Sequence, residues 1–336
     1  MTTIAVDALG GDHAPAVPVE GALLAAREYG LSLLLIGPPK QIEAELEKHD
    51  ASGLKIELVP AGDVIGMDES PVKALRRKPE ATVRVAAHLV REGRAQGFVS
   101  AGNTGAAMAA AKMEWGAIPG VDRPALATIF PTQRGIPSVL LDVGANIGCK
   151  PQHLVQFAVM GEVYYRVMFG VQRPRVGLLS IGEEATKGNE VIREAHRRLR
   201  ESPLSFEFVG NVEGHDVFSG DVHVAVCDGL VGNVALKISE GVAEAIVSML
   251  KEALSSTITA KVGAVLSRQA FEEFRRRVDW SEYGGAPLLG VKGVAIVCHG
   301  RSPVNAIKNA LGVAHSFAEK RVNEKIEREL TLVSGR

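Results

Sequence analysis

Short, almost wholly apolar runs recur along the chain, each followed by a stretch whose apolar residues return every three or four positions. Runs of that length, rich in Val, Ile and Leu, suit strands buried on both faces, and the wider spacing suits amphipathic helices. The pattern predicts strands over residues 3–7, 33–36, 55–59, 97–100, 127–130, 138–142, 176–181, 206–209, 223–227 and 294–298. Helical spacing is plainest over 83–90 and 154–167. Alternation of the two predicts an α/β fold in three layers, a mostly parallel sheet with helices on both faces. One stretch breaks the alternation. Residues 241–277 hold no proline and read as two helices, 240–254 and 261–277, joined by polar residues 255–259. This hairpin, residues 240–277, is expected to project from the body and make a homodimer by packing on its twin.

Where predicted strands give way to helices, the chain turns through Gly, Asn and Asp. Ligands of open parallel sheets bind outside the carboxyl ends of strands, so these turns form the candidate site. After the first strand, Gly10 and Gly11 permit close approach of the backbone to a ligand. Asp12 and His13 follow, placed as a hydrogen-bonding or acid–base pair, or with Asp12 as a plain helix cap. Ser100, Gly102, Asn103 and Thr104 open a helix, whose free N–H groups and positive dipole end make an anion site. No Walker lysine accompanies them. Asp142 and Asn146 occupy a third such turn, with Lys150 downstream.

Glu183 and Lys187 stand between Gly182 and Gly188 in a fourth turn, able to orient a phosphate or to form an ordinary surface ion pair. Asn211 follows another strand. Asp228, Gly232 and Asn233 precede a helix expected to open at residue 234, with Lys237 one turn in. Gly284 and Gly285 begin a last glycine-rich loop, whose Leu288 and Leu289 are expected to line an acyl groove. His299 lies just beyond the last strand.

Composition narrows the chemistry. A net charge of −1 provides no global field for nucleic acid. Cys149, Cys227 and Cys298 lack metal-ligand spacing and suggest no disulfide framework, which fits a reducing cytoplasm. The longest apolar runs fall short of the roughly 20 residues that a spanning helix needs. No G-x-S-x-G elbow and no H-E-x-x-H sequence occurs. Glycine-rich helix starts without a nucleophile suggest that one bound substrate attacks another directly, with amides stabilising the developing charge. A nicotinamide-dependent hydroxy-acid dehydrogenase would need metal-binding aspartates and an adenosine pocket, and neither is evident.

The segments AVDALGGDHAP, SAGNTGA, RPALA, LLDVGAN, IGEEATKG, GNVEG, DGLVGNVALK and YGGAPLLGVKG follow one another in this order. Together they resemble the PlsX family of bacterial phospholipid synthesis, across about residues 3–315. Leu9 stands where that family usually has Met, and Gly148 where it usually has Asp. The resemblance implies a fold like phosphotransacetylase and the isocitrate/isopropylmalate dehydrogenases, a homodimer, and no metal or nucleotide cofactor. It implies transfer of a fatty acyl group from acyl carrier protein to inorganic phosphate. The acyl phosphate would pass to a membrane glycerol-phosphate acyltransferase, PlsY. Peripheral membrane contact would use the hairpin tip, through Ile258, Val262, Val265 and Leu266, with Lys261 and Arg268 toward headgroups, the alternative being that this apolar face is dimer core. Phosphate would rest on amides at 102–104 and 232–233, with Lys187 or Lys237 supplying charge and His13 protonating the thiolate. Arg76, Arg77 and Lys78, or Arg197, Arg198 and Arg200, would receive the acidic carrier protein, the alternative being that both runs are ordinary solvated helix faces.

Overall fold

The computed structural model describes residues 1–278 and 283–334. The first half runs β1 (Thr3–Asp7), α1 (Ala16–Tyr29), β2 (Ser32–Gly37), α2 (Pro39–Leu46), β3 (Lys55–Pro60), α3 (Pro71–Arg77), α4 (Thr82–Arg91), β4 (Gly97–Ser100) and α5 (Thr104–Trp115). Then come β5 (Ala125–Phe130), β6 (Ser138–Leu141), α6 (Pro151–Phe169), β7 (Arg175–Leu179), α7 (Glu190–Glu201), β8 (Glu207–Val212), α8 (Asp216–Ser219) and β9 (Val224–Val226). The chain closes with α9 (Gly229–Ser255), α10 (Ile258–Leu266), α11 (Arg268–Val278), β10 (Ala286–Leu289), β11 (Val294–Val297), α12 (Val304–Glu319) and α13 (Val322–Ser334).

The strands form one sheet in the order β3-β2-β1-β4-β11-β10-β5-β6-β9-β7-β8. Strand residues alternate between the two faces, so each strand feeds two cores. Ile4, Val6, Leu33 and Leu35 meet Phe157, Tyr164 and Phe317 on one face. Ala5, Leu34, Ile36 and Phe98 pack with Leu126 and Leu140 on the other. This is the three-layer α/β arrangement that the alternating pattern predicts.

Strand direction decides where the turns go. β1, β2, β3, β4 and β11 run parallel. β10 is antiparallel to both β11 and β5, and β5 is antiparallel to β6. From β6 onward, β9, β7 and β8 are parallel again, but opposite in sense to the first set. The carboxyl ends of the two parallel sets therefore open on opposite edges of the shared sheet.

Three sequence expectations are corrected. Leu288 and Leu289 do not line a loop groove: they sit in β10, at 2% and 0% exposure, in the middle of the sheet. Pro287 and the flanking glycines disguised this short strand. The helix expected at residue 234 begins at Gly229 and continues unbroken to Ser255, so no boundary falls near 240. Gly232 and Gly241 hid its continuity, because glycine is a poor helix former. The helix expected over 261–277 is divided at Ser267 into α10 and α11.

The long α9 spans about 40 Å at 1.5 Å per residue. Leu230, Val234, Ile238, Val242 and Ile246 recur at four-residue spacing along it and are all half exposed or more. Between α9, α10 and α11 lies a groove of ≈ 510 Å³ with Val247, Leu254, Val265 and Phe271 on its walls. No helix among the described residues is long and apolar enough to cross a membrane.

Candidate active site

The first edge gathers the ends of β1, β4 and β11. Asp7 closes β1 at 3% exposure, and its Oδ2 accepts from Ser100 Oγ at 2.6 Å. Burial raises its carboxyl above the usual range, and the Ser100 bond offsets this only in part. Gly10 folds back on this pair. A Cβ there would lie 2.8 Å from both Asp7 Oδ2 and the Gly102 nitrogen, so only glycine fits. Gly11 has a φ of 103°, a conformation that glycine adopts freely. The Asp12 N–H donates to Gly300 O at 2.9 Å, joining this turn to the one after β11. The Asp12 and His13 side chains are exposed.

Asn103 starts α5 for a local reason: its Oδ1 accepts from the Ala106 N–H at 3.0 Å, the ordinary N-cap bond. Its Nδ2 donates to Gly66 O at 3.0 Å and Met67 O at 3.3 Å, fastening the loop after β3 over the helix start. Gly102 N–H donates to Ser100 Oγ, and Thr104 is the exposed first residue of α5. These groups surround a cavity of ≈ 180 Å³. Gly284 and Gly285 lie deeper. A Cβ on either would strike backbone of α12 or β11 at 2.7 Å, so their smallness serves close packing.

The second edge gathers the ends of β6, β9, β7 and β8. Asp142 is fully buried. Its Oδ1 accepts from the N–H groups of Leu126, Gly144 and Ala145, and its Oδ2 from the Asn146 N–H and Nδ2. Burial raises its pKa while these bonds oppose the rise. Asn146 Nδ2 also donates to Pro124 O at 2.8 Å. Asp228 caps α9, its Oδ1 accepting from Leu230 and Val231 N–H at 2.9 Å each. Asn233 thus stands inside the helix, and the Gly232 N–H is engaged by Asp228 O at 3.0 Å. The expected phosphate-binding amides at 232–233 are therefore not a helix start. Asn233 instead presents its side chain beside Gly144, within 4 Å of where a Cβ would stand. Glu183 and Lys187 are exposed in the turn after β7, and Asn211 Nδ2 holds that turn through Glu184 O at 2.8 Å. Nothing lies within 4 Å of a Cβ on Gly148.

One element connects the edges. α9 leaves the second edge and carries Lys237 and Glu240 to His299 of the first, whose charge they influence together with Arg301 and Asp12. Burial, followed by Lys237, lowers the His299 pKa, so the imidazole is neutral at pH 7. Its Nδ1 accepts from the Arg301 N–H at 3.2 Å. Lys237 Nζ lies 2.8 Å from Glu240 Oε2, and Arg301 reaches within 4.0 Å of Glu244 on the same helix. Asp12, His299 and Lys237 are thus brought together, while Glu183, Lys187 and Asn211 remain with the turns of β7 and β8. Arg301 and the roof over 64–67 escaped the sequence reading. Asp7 was legible there as the end of a strand and the first residue of the glycine-rich motif, without a role of its own.

The thiols offer no nucleophile. Burial pushes Cys149 up to about 11 and Cys298 up to about 12, and raises Cys227 well above its ordinary value. All three keep their protons at neutral pH. No group of His, Cys, Asp or Glu among the described residues could hold a metal ion.

Architecture places the molecule among the phosphotransacetylase-like α/β folds. A phosphotransacetylase from Streptococcus pyogenes superposes with a TM-score of 0.61 at 17% identity, covering 95% of this chain and 94% of that one. The EutD phosphotransacetylase from Staphylococcus aureus gives 0.58 at 16%, with 94% of each chain covered. Sequence similarity is far more specific. The chain belongs to the family described as "Fatty acid synthesis protein", which matches residues 2–325. A relative from Geobacter sulfurreducens named "Phosphate acyltransferase" is 52% identical over 332 residues, 98% of this chain and 95% of its own. The chain is an acyltransferase of this family.

Proposed function

We propose that the enzyme transfers a fatty acyl group from an acyl-carrier-protein thioester to inorganic phosphate, giving acyl phosphate and free carrier thiol. The name of its relatives and the family description support acyl transfer to phosphate within lipid synthesis. The observation that carries the direct mechanism is a cleft with helix-start amides and cations but no activated side-chain nucleophile. Phosphate rests near the start of α5, with Lys237 and Arg301 supplying charge. A phosphate oxygen attacks the thioester carbonyl carbon, the C–O bond forms as the C–S bond breaks, and amide N–H groups stabilise the oxyanion. The phosphate proton ends on the departing sulfur. Neutral His299 is suited to relay it, with exposed His13 as the second candidate.

Two copies cover the apolar ridge of α9 in a homodimer, and the tip at Ile258, Val262, Val265 and Leu266 rests on the membrane surface. There the acyl phosphate reaches a membrane glycerol-phosphate acyltransferase such as PlsY. The deciding experiment incubates purified protein with palmitoyl carrier protein and phosphate. Acyl phosphate should accumulate with one free thiol per turnover; thiol release independent of phosphate would refute the reading.

A further inference from the structure

Two basic runs on the surface look alike in sequence and differ in the fold. On α7, Arg197 and Arg198 are held by Glu194 and Glu201 of the same helix, so their charges are compensated. On α3, Lys73, Arg76 and Arg77 are all exposed, and among the described residues none of them forms an ion pair. Their three- and four-residue spacing sets them on one face of the helix, while Ala74 and Leu75 are buried on the other. Lys78 does not join that face. Its Nζ lies 2.6 Å from Glu69 Oε2 and 2.8 Å from Val64 O. Arg77 adds only its field to Glu69. The remaining acids of the segment, Asp68 and Glu80, precede and follow the helix.

The same helix and the loop before it expose apolar groups. Val72 is 45% exposed, Val64 41% and Met67 59%. Apolar contact area among charged groups is the make-up of a protein-docking surface. The platform is also rigid. Asn103 Nδ2 donates to Gly66 O and Met67 O, and Arg84 donates to Leu75 O at 2.9 Å. Pro71, which opens α3, has its Cγ 2.6 Å from where a Cβ on Gly105 would stand. Gly105 is the second residue of α5, so α3 is fixed against the helix start near which phosphate is proposed to rest.

We propose that the exposed face of α3, with the loop before it, is the surface on which the acidic carrier protein docks. The inference rests on the carrier-thioester reading above and adds where the carrier sits. Three uncompensated cations on one face attract an acidic partner and speed its encounter. Val64, Met67 and Val72 then supply the short-range apolar contact that charge alone lacks. The compensated run on α7 has no such field. Position favours α3 as well: a carrier seated there holds its thioester beside the start of α5, within the same rigid unit.

The test combines calorimetric titration of the purified enzyme with acyl carrier protein and steady-state kinetics with two donors, palmitoyl carrier protein and palmitoyl pantetheine. Arg76→Glu with Arg77→Glu should weaken carrier binding and raise the carrier-thioester KM by about tenfold or more at low salt. Added salt should narrow that gap, because it screens the wild-type attraction. Lys73→Glu and Val72→Asp should each act in the same direction. The KM for palmitoyl pantetheine, which carries no protein, should stay within about twofold in all of these variants. Arg197→Glu with Arg198→Glu should leave carrier binding within about twofold of wild type. Carrier affinity unchanged by the α3 reversals overturns the assignment, and so does an equal loss from the α7 variant or an equal loss with palmitoyl pantetheine. Loss of binding to anionic vesicles with carrier affinity intact also overturns it and gives α3 to a lipid surface. If wild-type enzyme binds the carrier but the α3 variants bind it equally well, only the docking site falls. If wild-type enzyme neither binds nor uses the carrier, the donor reading falls with it.

Discussion

Two residues show how little latitude the cleft leaves. Asp142 spends both oxygens on five N–H donors, so it shapes the turn after β6 and keeps no free lone pair for substrate. Gly232 completes that arrangement, because a Cβ there would lie 1.9 Å from Asp142 O. Backbone, not a flexible side chain, is in the way, so α9 would have to move. Gly232→Ala should destabilise the fold by about 3 kcal/mol, in the upper range for overpacking. A urea midpoint unchanged from wild type would show that the helix shifts freely. Asp7 and Asp142 are both buried carboxyl groups raised by desolvation, Asp142 held by five N–H donors and Asp7 by the Ser100 and Thr82 side chains and the amides of Leu9 and Gly10.

At the scale of elements, α9 is exceptional. Amphipathic helices normally bury their apolar stripe, yet the Leu230–Ile246 ridge of α9 is open to solvent. Ile238→Asp combined with Ile246→Asp should place charge in the proposed dimer seam and shift sedimentation to the monomer. An unchanged sedimentation coefficient would remove α9 from the interface. The tip answers a separate question. Ile258 and Leu266 are each 82% exposed, and Lys261 and Arg268 flank them. Val262→Asp with Leu266→Asp should reduce co-sedimentation with anionic liposomes while leaving the dimer intact. Equal co-sedimentation of the variant and wild type would reject the tip as the anchor. The element pattern was largely legible in the sequence, since nearly every strand is a compact apolar run. β10 was not, because four residues containing Pro287 carry too weak a periodic signal. Nor was the unity of α9, because interior glycines look locally like breaks, whether they permit close packing, as Gly232 does, or face open space, as Gly241 does.

For the whole molecule, the reversal of strand sense across β10, β5 and β6 matters most. It separates turns that look equivalent in sequence and leaves α9 to bring one set to the other. Lys237 belongs to the second half by chain order, but its charge acts on His299 of the first. Lys237→Ala should therefore raise the KM for phosphate by about tenfold or more, the loss expected for one charge-assisted contact. An unaltered phosphate KM would place the anion elsewhere. The chain alone determined the α/β alternation, the glycine-rich turns at strand ends and the family, because these depend on local pattern and ordered motifs. Only the tertiary structure decided which turns share an edge, that the amides at 232–233 lie within a helix, and that the buried Asp7 is bonded to Ser100 of a neighbouring strand. Those features depend on strand direction and on contacts between residues as distant as Asp7 and Ser100. No local periodicity encodes them.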